Sequence, residues 1–439
     1  MRYVLLTPGT GSFFCGTCLR DNALAMALRK LGHTAEMVPM YLPPTLDEAS
    51  AAESSPLFYG GINVYLQQVT PLFRKTPRWL DALMDSPGAL AGAAKKAGMT
   101  EAKDLGPMTL SMLQGENGHQ LKELERLVGW LAEEKPDVVI LSNALLMGLG
   151  RRIKEASGAR VACTLQGEDT FLDALPEPYK TQCWEEVAHR GNDFDAFIAV
   201  SKYHADIMTR RANLPPEKVH VVHNGILLEG YTNSEPPGTL WVTGGQGGNS
   251  GPPTIGFFSR MCPPKGLHLL VDAFCLLGKR MPDVRLAIGG AQTEGDIRYV
   301  DEQKAKLEKA GVLERVSFHP NLDRDEKIRL LQSLNVLSVP AMYGESFGLY
   351  LLEALAAGVP VVQPNHGAFP EVLGATGGGV LFDPPTPEAL AEALESLLRD
   401  PEKAHALGLE GQQNVQEKFS VDVMAKNVAA VFSAGRINV

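Results

Sequence analysis

The sequence predicts an α/β protein built from two doubly wound domains, each with a parallel sheet. The chain has 439 residues, which is enough for two domains of about 200 residues each. Short apolar runs alternate with longer helical patterns in two successive series, which is typical of βαβ units. A segment rich in glycine and proline separates the two series, so we expect one domain on either side of it.

The predicted strands are apolar runs such as VVIL, FIAV and VPVV, which suit parallel strands buried on both faces. In the first series the strands are predicted at 3–7, 34–40, 137–142, 160–166, 195–201 and 218–223. In the second series they are predicted at 254–259, 284–289, 315–319, 336–340, 359–363 and 379–382. The helical patterns between them supply the crossovers that parallel strands need.

The break between the two series lies at 236–253, where the chain reads PPGTLWVTGGQGGNSGPP. Here 10 of 18 residues are glycine or proline. No helix or central strand survives that composition. We interpret 233–253 as the connection between the domains or an insertion beside it. The alternative is a disordered surface loop inside one domain.

A second irregular region runs from 43 to 118, between the second and third predicted strands. It is far longer than the usual loop of about two to six residues in α/β units. It contains a small-residue helical stretch at 89–98 and a basic patch at Arg74, Lys75 and Arg78. We interpret the region as an insertion that shapes a binding site.

Charge and cysteine usage exclude several classes of function. Acidic residues (51) outnumber basic residues (41), and the formal net charge is −10, which argues against a protein that binds duplex nucleic acid. The amino-terminal run MRYVLLTPGTG is too short for a signal peptide or a membrane helix. The six cysteines are scattered, as expected of reduced thiols. We therefore expect a cytoplasmic protein without a nucleic-acid partner.

The strongest chemical signal is VPAMYGESFGLYLLE at 339–353. A strand ends at Pro340, a loop with glycine follows, and helix-forming residues begin near Phe347. Glu345 precedes this helix and Glu353 stands inside it, so the two carboxylates lie on the order of 12 Å apart along the axis. That span suits the two ends of a sugar nucleotide, with its diphosphate at the helix N-terminus. An ordinary helix with early acidic residues is an equal alternative, because the macrodipole favours them there.

A second signal is the pair Arg260 and Lys265 in FSRMCPPKGL. The pair follows a strand, at the position where doubly wound sheets bind ligands. A guanidinium and an ammonium together suit the neutralisation of a diphosphate leaving group. An isolated pair would more often be surface cations on a turn, but this one shares a domain with the two glutamates. A third signal, Asn224 and Gly225 in VVHNGI, suits a tight turn before the break.

These residues resemble a known family. The run VPAMYGESFGLYLLEALAAGVPVVQPNHGAFPEVL resembles the signature of retaining, sugar-nucleotide-dependent glycosyltransferases of family 4. Members have the GT-B fold, in which two Rossmann-like domains face each other across a cleft. The positions that match the family's motifs are Gly32, His33, Asn224, Gly225, Arg260, Lys265, Gly266, Glu345, Glu353, Pro370 and Glu371. The resemblance covers most of the chain except 43–118 and 233–253.

The resemblance implies an acceptor domain at 1–225 and a donor domain at 226–414. The segment 415–439, with a helix near 415–432, is then expected to cross back to the first domain. The implied activity is the transfer of a hexose, with retention, from a UDP- or GDP-linked sugar to an acceptor hydroxyl. The acceptor is a glycan, a lipid or a small molecule. No metal or other cofactor is expected, because the cations and the helix terminus hold the diphosphate.

The resemblance also assigns site residues. The implied catalytic residues are Arg260, Lys265 and Glu345. The implied donor-binding residues are Gly16, Asn224, Arg260, Lys265, Glu345, Ser346, Phe347, Gly348, Leu349 and Glu353. The implied sugar or acceptor contacts are Thr17, Gln166 and Glu168.

Two positions depart from the family pattern. Gln166, followed by Gly167, stands where the family often has a His-Gly pair. Glutamine donates and accepts hydrogen bonds but cannot take a proton, so the role of that histidine does not carry over. Ser346 stands where glycine is common, and we expect it to cap the following helix.

Other interpretations remain open beside this one. Cys15 and Cys18 form a CxxC motif, but no second CxxC or close histidine pair supports a metal site, and a turn in the cleft loop is favoured. The alternative enzymes are a sugar-nucleotide epimerase or a phosphorylase with the same fold. A non-catalytic protein that binds nucleotide sugars or glycans is a further alternative. Peripheral membrane contact through the basic patch at 74–78 is less favoured than a solvated face.

Overall fold

The structure is a computed structural model that describes residues 1–9, 16–46, 49–52, 56–77, 102–231 and 251–433, without the side chains of 102–104. The chain divides into two compact units. One is formed by Met1–Asn224 with Met424–Val439, and the other by Gly225–Val423. Each unit is built around one six-stranded sheet in which every strand pair is parallel.

The first unit contains the strands β1 (Arg2–Thr7), β2 (Thr34–Pro39), β3 (Val138–Leu141), β4 (Arg160–Leu165), β5 (Ala196–Ala199) and β6 (Val219–Val221). Its described helices are α1 (Gly16–Lys30), α2 (Gly61–Val69), α3 (Ala102–Leu113), α4 (Leu121–Glu134), α5 (Gly150–Ser157), α6 (Glu168–Asp173), α7 (Tyr179–Arg190) and α8 (Lys202–Arg211). The strands are arranged in the order β2-β1-β3-β4-β5-β6. Because every residue of β3 and β5 is buried, these strands form the centre of the core.

The second unit contains β7 (Thr254–Phe258), β8 (Arg285–Gly290), β9 (Val316–Pro320), β10 (Val336–Leu337), β11 (Val361–Pro364) and β12 (Gly379–Phe382). Its helices are α9 (Leu267–Arg280), α10 (Ile297–Lys309), α11 (Arg324–Gln332), α12 (Leu349–Ala356), α13 (Phe369–Thr376), α14 (Pro387–Leu398) and α15 (Pro401–Lys418), and α16 (Val421–Ser433) begins in it. The strands are arranged in the order β12-β11-β10-β7-β8-β9. Local signals start several helices, such as the capping box between Asp323 and Glu326 at α11 and the Thr386 cap before Pro387 at α14.

The strand order of the second unit has one reversal that matters for function. Running outward from β7, the chain first adds β8 and β9 on one side and then returns to add β10, β11 and β12 on the other. The carboxyl ends of β7 and β10 therefore flank a topological switch point, where ligands bind in open α/β sheets. The loop with Arg260 and Lys265 leaves β7, and the loop with Glu345 leaves β10.

All twelve predicted strands are present, with ends that shift by up to three residues. The largest shift is at β10, which ends at Leu337. The next residue, Ser338, donates its amide to Gly256 O at 2.9 Å and its hydroxyl to Val362 O at 2.6 Å. The GT-B prediction of two doubly wound parallel sheets is confirmed. Residues 233–250 of the predicted linker at 233–253, and the predicted helix at 89–98, lie outside the described residues.

The carboxyl-terminal crossover differs from the prediction. A single helix was expected from 415 onward, but α15 ends at Lys418 and α16 starts at Val421. Ser420 separates the helices, because its backbone pairs with Ile226 and its hydroxyl accepts from Val423 N at 3.3 Å as a helix cap. The return to the first unit begins at Met424. There Phe432 packs edge-on against Tyr3.

Candidate active site

Two loops meet at the carboxyl ends of β7 and β10 in the second unit. Gly266 holds φ at +75°, and a Cβ at this position would lie 1.9 Å from Pro340 O. Met342 N donates to Pro264 O at 3.1 Å. Only glycine permits so close an approach. The Lys-Gly turn of the first loop is therefore fixed against the loop that leads to Glu345.

Arg260 is held by a buried acidic residue. Its Nε and Nη2 lie 3.0 and 3.1 Å from the two carboxylate oxygens of Asp296. Asp296 in turn accepts from the backbone and hydroxyl of Thr293, in a capping box that precedes α10. Burial by itself lowers the pKa of Arg260, but the ion pair with Asp296 outweighs it and raises that pKa. Because the Arg260 side chain is 41% exposed, one face of this oriented guanidinium is accessible.

Lys265 lies in a cluster of one carboxylate and two phenols. Its Nζ donates to Glu345 Oε2 at 2.5 Å and to the Tyr343 hydroxyl at 2.6 Å. The Tyr343 and Tyr350 hydroxyls both donate to the same Glu345 oxygen, at 3.1 and 3.0 Å. The two phenol rings also lie 5.2 and 5.5 Å from the ammonium, within cation–π range. The cluster joins the loops after β7 and β10 to the first turn of α12.

The cluster keeps both the Glu345 carboxylate and the Lys265 ammonium ionised. Burial alone raises the pKa of Glu345, but the Lys265 ammonium and the hydroxyls of Tyr350 and Tyr343 outweigh it and lower that pKa. Burial likewise lowers the pKa of Lys265, and the nearby Glu345 carboxylate more than reverses the effect. The site therefore presents a carboxylate and an ammonium at neutral pH.

Glu353, the second predicted glutamate, lies within α12. Its Oε1 accepts from Lys327 Nζ at 3.0 Å, and Lys327 is a buried lysine of α11. This pair parallels the pairing of Arg260 with Asp296 and of Lys265 with Glu345. Each charged residue that the sequence placed at the donor site thus has a partner of opposite charge.

The start of α12 differs from the prediction. Its first residue is Leu349 and its N-cap is Gly348, at φ +84°, without a side-chain cap. The expected cap by Ser346 is therefore wrong, because the capping position has a positive φ that glycine adopts readily. Ser346 and Phe347 are buried between Glu345 and the helix. The contact of these backbone amides with a diphosphate stays a prediction.

In the first unit, a buried polar network surrounds Asn224. Arg20 Nε donates to Asn224 Oδ1 at 3.2 Å, and Arg20 Nη1 donates to Asp21 Oδ1 at 2.8 Å. The other Asp21 oxygen accepts from the hydroxyls of Thr7 and Ser142. The predicted donor-binding residue Asn224 is thus a partner of a fully buried arginine. Its contact with a donor stays a prediction.

Gln166 and Glu168 lie at the carboxyl end of β4. Gln166 Nε2 donates to Ser142 O at 2.5 Å. The two Glu168 oxygens accept from Ala144 N at 3.0 Å and from Gln166 N at 2.7 Å. Burial raises the pKa of Glu168, but the contact with His204 and the backbone amides of Glu168 and Gln166 outweigh it and lower that pKa. These bonds hold the loop after β4, and the proposed contacts with sugar or acceptor remain predictions.

The predicted contacts Gly16 and Thr17 are the first residues of α1. Gly16 is exposed and Thr17 is half-buried. Cys18 is buried in the same helix, whereas Cys15 lies outside the described residues. Within the described ranges, no group of three or more His, Cys, Asp or Glu side chains is placed to hold a metal ion. The same ranges contain no helix with the length and apolar character needed to cross a membrane.

Sequence reasoning missed several residues of these clusters. Asp296 and Lys327 lie in elements far along the chain from the residues they pair with. Tyr350 lies five residues beyond Glu345, across the turn at Gly348. The Thr293-to-Asp296 spacing is itself a capping signal, so the start of α10 was recognisable although its pairing with arginine was not.

Two family models match the chain. The model described as "Glycosyl transferases group 1" matches residues 245–414, and the model described as "Glycosyltransferase Family 4" matches residues 59–229. The first match contains Arg260, Lys265, Glu345 and Glu353. The second contains Gln166, Glu168 and Asn224.

Curated relatives carry the names of sugar-transferring enzymes. D-inositol 3-phosphate glycosyltransferase of Xylanimonas cellulosilytica is 30% identical over 310 residues, 70% of this chain and 68% of that protein. The protein of the same name from Mycobacterium sp. (strain KMS) is 26% identical over 271 residues, 62% of this chain. The chain spans between 56% and 63% of the length of four such relatives.

Solved structures share the fold across nearly the whole chain. Anabaena HepE in complex with UDP and glucose superimposes with a TM-score of 0.70 at 18% identity, covering 99% of this chain and 100% of that one. Sucrose-phosphate synthase from Thermosynechococcus elongatus gives a TM-score of 0.71 at 18% identity, covering 99% and 98%. At this level of identity the likeness shows the fold alone.

Proposed function

The chain belongs to the glycosyl transferase group 1 family, and from that premise we propose that it is a retaining hexosyltransferase. Its donor is a nucleoside-diphosphate hexose, with UDP as the first candidate and GDP as the second. Its acceptor is a hydroxyl of a glycan, a lipid or a small molecule. The preference for UDP is supported by the HepE structure with UDP and glucose.

The observation that carries the proposal is the arrangement at the switch point of the second sheet. Arg260 and Lys265 follow β7, and Glu345 follows β10. An oriented guanidinium and a charged ammonium suit the two negative charges that grow on a departing diphosphate. The ionised carboxylate of Glu345 suits hydroxyl groups of the transferred sugar, because it only accepts hydrogen bonds.

In the proposed mechanism the acceptor hydroxyl attacks the anomeric carbon on the face that the diphosphate leaves. The bond between the anomeric carbon and the diphosphate oxygen breaks, and a bond to the acceptor oxygen forms. The departing diphosphate takes the acceptor proton, so no protein base is needed. Because attack and departure share one face of the sugar, the configuration is retained. The protein then contributes mainly through positioning and electrostatic stabilisation by Arg260 and Lys265. Glu353 accepts from the ribose hydroxyls of the nucleotide.

The proposal is tested in two steps with the full-length protein. A thermal-shift screen with UDP-, GDP- and ADP-hexoses identifies the donor, because a ligand raises stability in proportion to ln(1 + [L]/Kd). Release of the nucleoside diphosphate is then measured with a panel of sugars, polyols, their phosphates and lipid acceptors. Proton NMR of the product reads its anomeric configuration.

We expect one donor class to stabilise the protein and its hexose to reach an acceptor with retention. Donor binding without transfer or hydrolysis would instead support the alternative of a non-catalytic nucleotide-sugar-binding protein. Conversion of the donor to its epimer, or a requirement for phosphate, would support the other enzymes with this fold. Inversion at the anomeric carbon would contradict the mechanism.

A further inference from the structure

We infer that Tyr350 and Tyr343 are positioning residues that set the donor-sugar specificity by fixing the orientation in which the Glu345 carboxylate presents its other oxygen to the hexose. The inference rests on the proposed function, because it concerns how the same carboxylate distinguishes one hexose from its epimer. It depends on an asymmetry in the hydrogen bonds that the carboxylate accepts.

All three side-chain donors around Glu345 use the same oxygen. Lys265 Nζ, the Tyr350 hydroxyl and the Tyr343 hydroxyl lie 2.5, 3.0 and 3.1 Å from Oε2. Among the described residues, no hydrogen bond to Oε1 accompanies them. A carboxylate oxygen has about two lone pairs, so Oε2 is saturated and Oε1 is left as the acceptor for a ligand.

The direction of each hydrogen bond is fixed by chemistry. Lys265 has donors only, so the Tyr343 oxygen must accept from its ammonium, at 2.6 Å. The Tyr343 proton is then directed at Glu345. Burial and the neighbouring Glu345 charge raise the pKa of Tyr350 well above its usual range, so this phenol also stays a donor. Both phenols therefore donate hydrogen bonds to the carboxylate, and the carboxylate only accepts them.

The backbone around the cluster is fixed as well. Ala368 N donates to Glu345 O at 2.9 Å, and a Cβ at Gly367 would lie 2.8 Å from Glu345 N. On the other side, Gly348 at φ +84° starts the helix whose second residue is Tyr350. The main chain on both sides of the carboxylate is thus held. The remaining freedom is rotation of the carboxylate itself, which the two phenols restrain.

This restraint bears directly on sugar recognition. A freely rotating carboxylate accepts hydroxyls from several directions, whereas one with a saturated oxygen offers a single, oriented acceptor. A site built to bond a hydroxyl at one position discriminates strongly against a substrate that lacks it there. Two epimeric hexoses differ in this way, because one hydroxyl points to opposite sides of the ring. Loss of one phenol hydroxyl should therefore reduce the discrimination between epimers more than it weakens nucleotide binding.

The test uses Tyr350→Phe and Tyr343→Phe, each of which removes one hydroxyl and keeps the ring. Calorimetry gives the dissociation constants of the free nucleoside diphosphate, of its hexose conjugate and of the C4-epimeric conjugate. The kcat/KM of both conjugates gives the same comparison for transfer. Tyr3→Phe is the matched control, because that phenol lies in the first unit and contacts Met1 Sδ at 3.5 Å.

We expect Tyr350→Phe to reduce the discrimination between the epimers about tenfold, as for the loss of one hydrogen bond to a charged group. The affinity for the free nucleoside diphosphate should change less than about twofold, and Tyr3→Phe should change neither quantity. Unchanged discrimination in both variants, with a wild type that transfers sugar, would overturn the inference and leave the proposed function intact. A wild type that binds no nucleotide sugar would overturn both.

Discussion

The carboxyl ends of the two sheets carry charged residues in both units, but the two sets differ in exposure. In the first unit, the side chains of Arg20 and Asp21 are 0% and 2% exposed. In the second unit, the side chains of Arg260 and Lys265 are 41% and 21% exposed. Among the described residues, these charged side chains are buried at this edge in the first unit and partly exposed at the same edge in the second.

This difference separates a structural from a functional use of charge. A fully buried ion pair can be broken only at a large desolvation cost, so it fixes loops and does not exchange partners with a ligand. A partly exposed cation keeps some hydration and can turn toward an anionic ligand at much lower cost. We call the carboxyl ends of the first unit's sheet the first edge and those of the second unit's sheet the second edge. We expect substitutions at the first edge to change mainly stability, and those at the second edge to change mainly turnover and affinity.

The largest expected effect on stability is at Arg20. Arg20→Met leaves Asp21 buried without its cation, and we expect the free energy of unfolding to fall by about 3–5 kcal/mol. Urea denaturation followed by circular dichroism measures this change. Addition of Asp21→Asn should restore much of the loss, because it removes the uncompensated charge.

The control for Arg20 is the exposed pair of Lys202 with Asp206, joined at 3.0 Å with side chains 73% and 56% exposed. Lys202→Met should leave the denaturation midpoint unchanged within error. An Arg20→Met protein as stable as this control would show that the first edge is not a structural network.

The largest expected effect on activity is at Arg260 and Lys265. Replacing either by alanine removes a cation beside the departing diphosphate, and we expect turnover to fall about 10²–10³-fold. The circular dichroism spectrum checks that the fold persists, because each replacement leaves a buried carboxylate, Asp296 or Glu345, without its cation. Arg298→Ala, at a side chain 93% exposed on α10, is the control. Near-normal turnover in both alanine variants would contradict the assignment of the diphosphate site.

Local sequence was sufficient to find the strands and the motif residues. The strands β3 and β5 are continuous apolar runs that are buried along their whole length, as burial on both faces of a parallel sheet requires. The two glutamates and the two cations stand at spacings that match the motifs of the family. The placement of Arg260 and Glu345 at neighbouring strand ends then follows from the strand order, which the alternation of strands and helices restricts to few possibilities.

The partners of these residues were not predictable, because they come from other elements. Asp296 reaches Arg260 only when β7 and β8 pair, and Lys327 reaches Glu353 only when α11 packs beside α12. The Ser346 cap failed for a related reason. Serine is a good cap in general, but the turn that positions Tyr350 requires a positive φ at the capping residue, and glycine occupies it.

An intermediate effect is expected at Glu353. If it accepts from ribose hydroxyls, Glu353→Ala should weaken binding of the free nucleoside diphosphate about 10-fold or more, the usual effect of losing hydrogen bonds to a charged group. Isothermal titration calorimetry measures this directly. The single variant also leaves Lys327 buried without its carboxylate, so the double variant with Lys327→Met serves as the control. Unchanged affinity in both would count against the ribose contact.

The smallest expected effect is a change in stability at Asp169, which lies at the first edge. Its Oδ1 lies 3.7 Å from His204 Nδ1. Burial raises the pKa of Asp169 in the folded protein, and His204 offsets only part of that rise. A raised carboxyl pKa contributes stability that is full below the unfolded-state pKa and is lost as pH rises through the folded-state pKa. At neutral pH the ionised Asp169 therefore costs stability.

Asp169→Asn should accordingly raise the Tm by about a degree or two near pH 7, and the gain should shrink as the pH falls toward about 4. Differential scanning fluorimetry across this range follows the trend. A variant less stable than the wild type at neutral pH would mean that the contact with His204 outweighs burial. A large loss of transfer activity at unchanged Tm would mean that this edge binds substrate, and the division between a structural and a functional edge would then fail at Asp169.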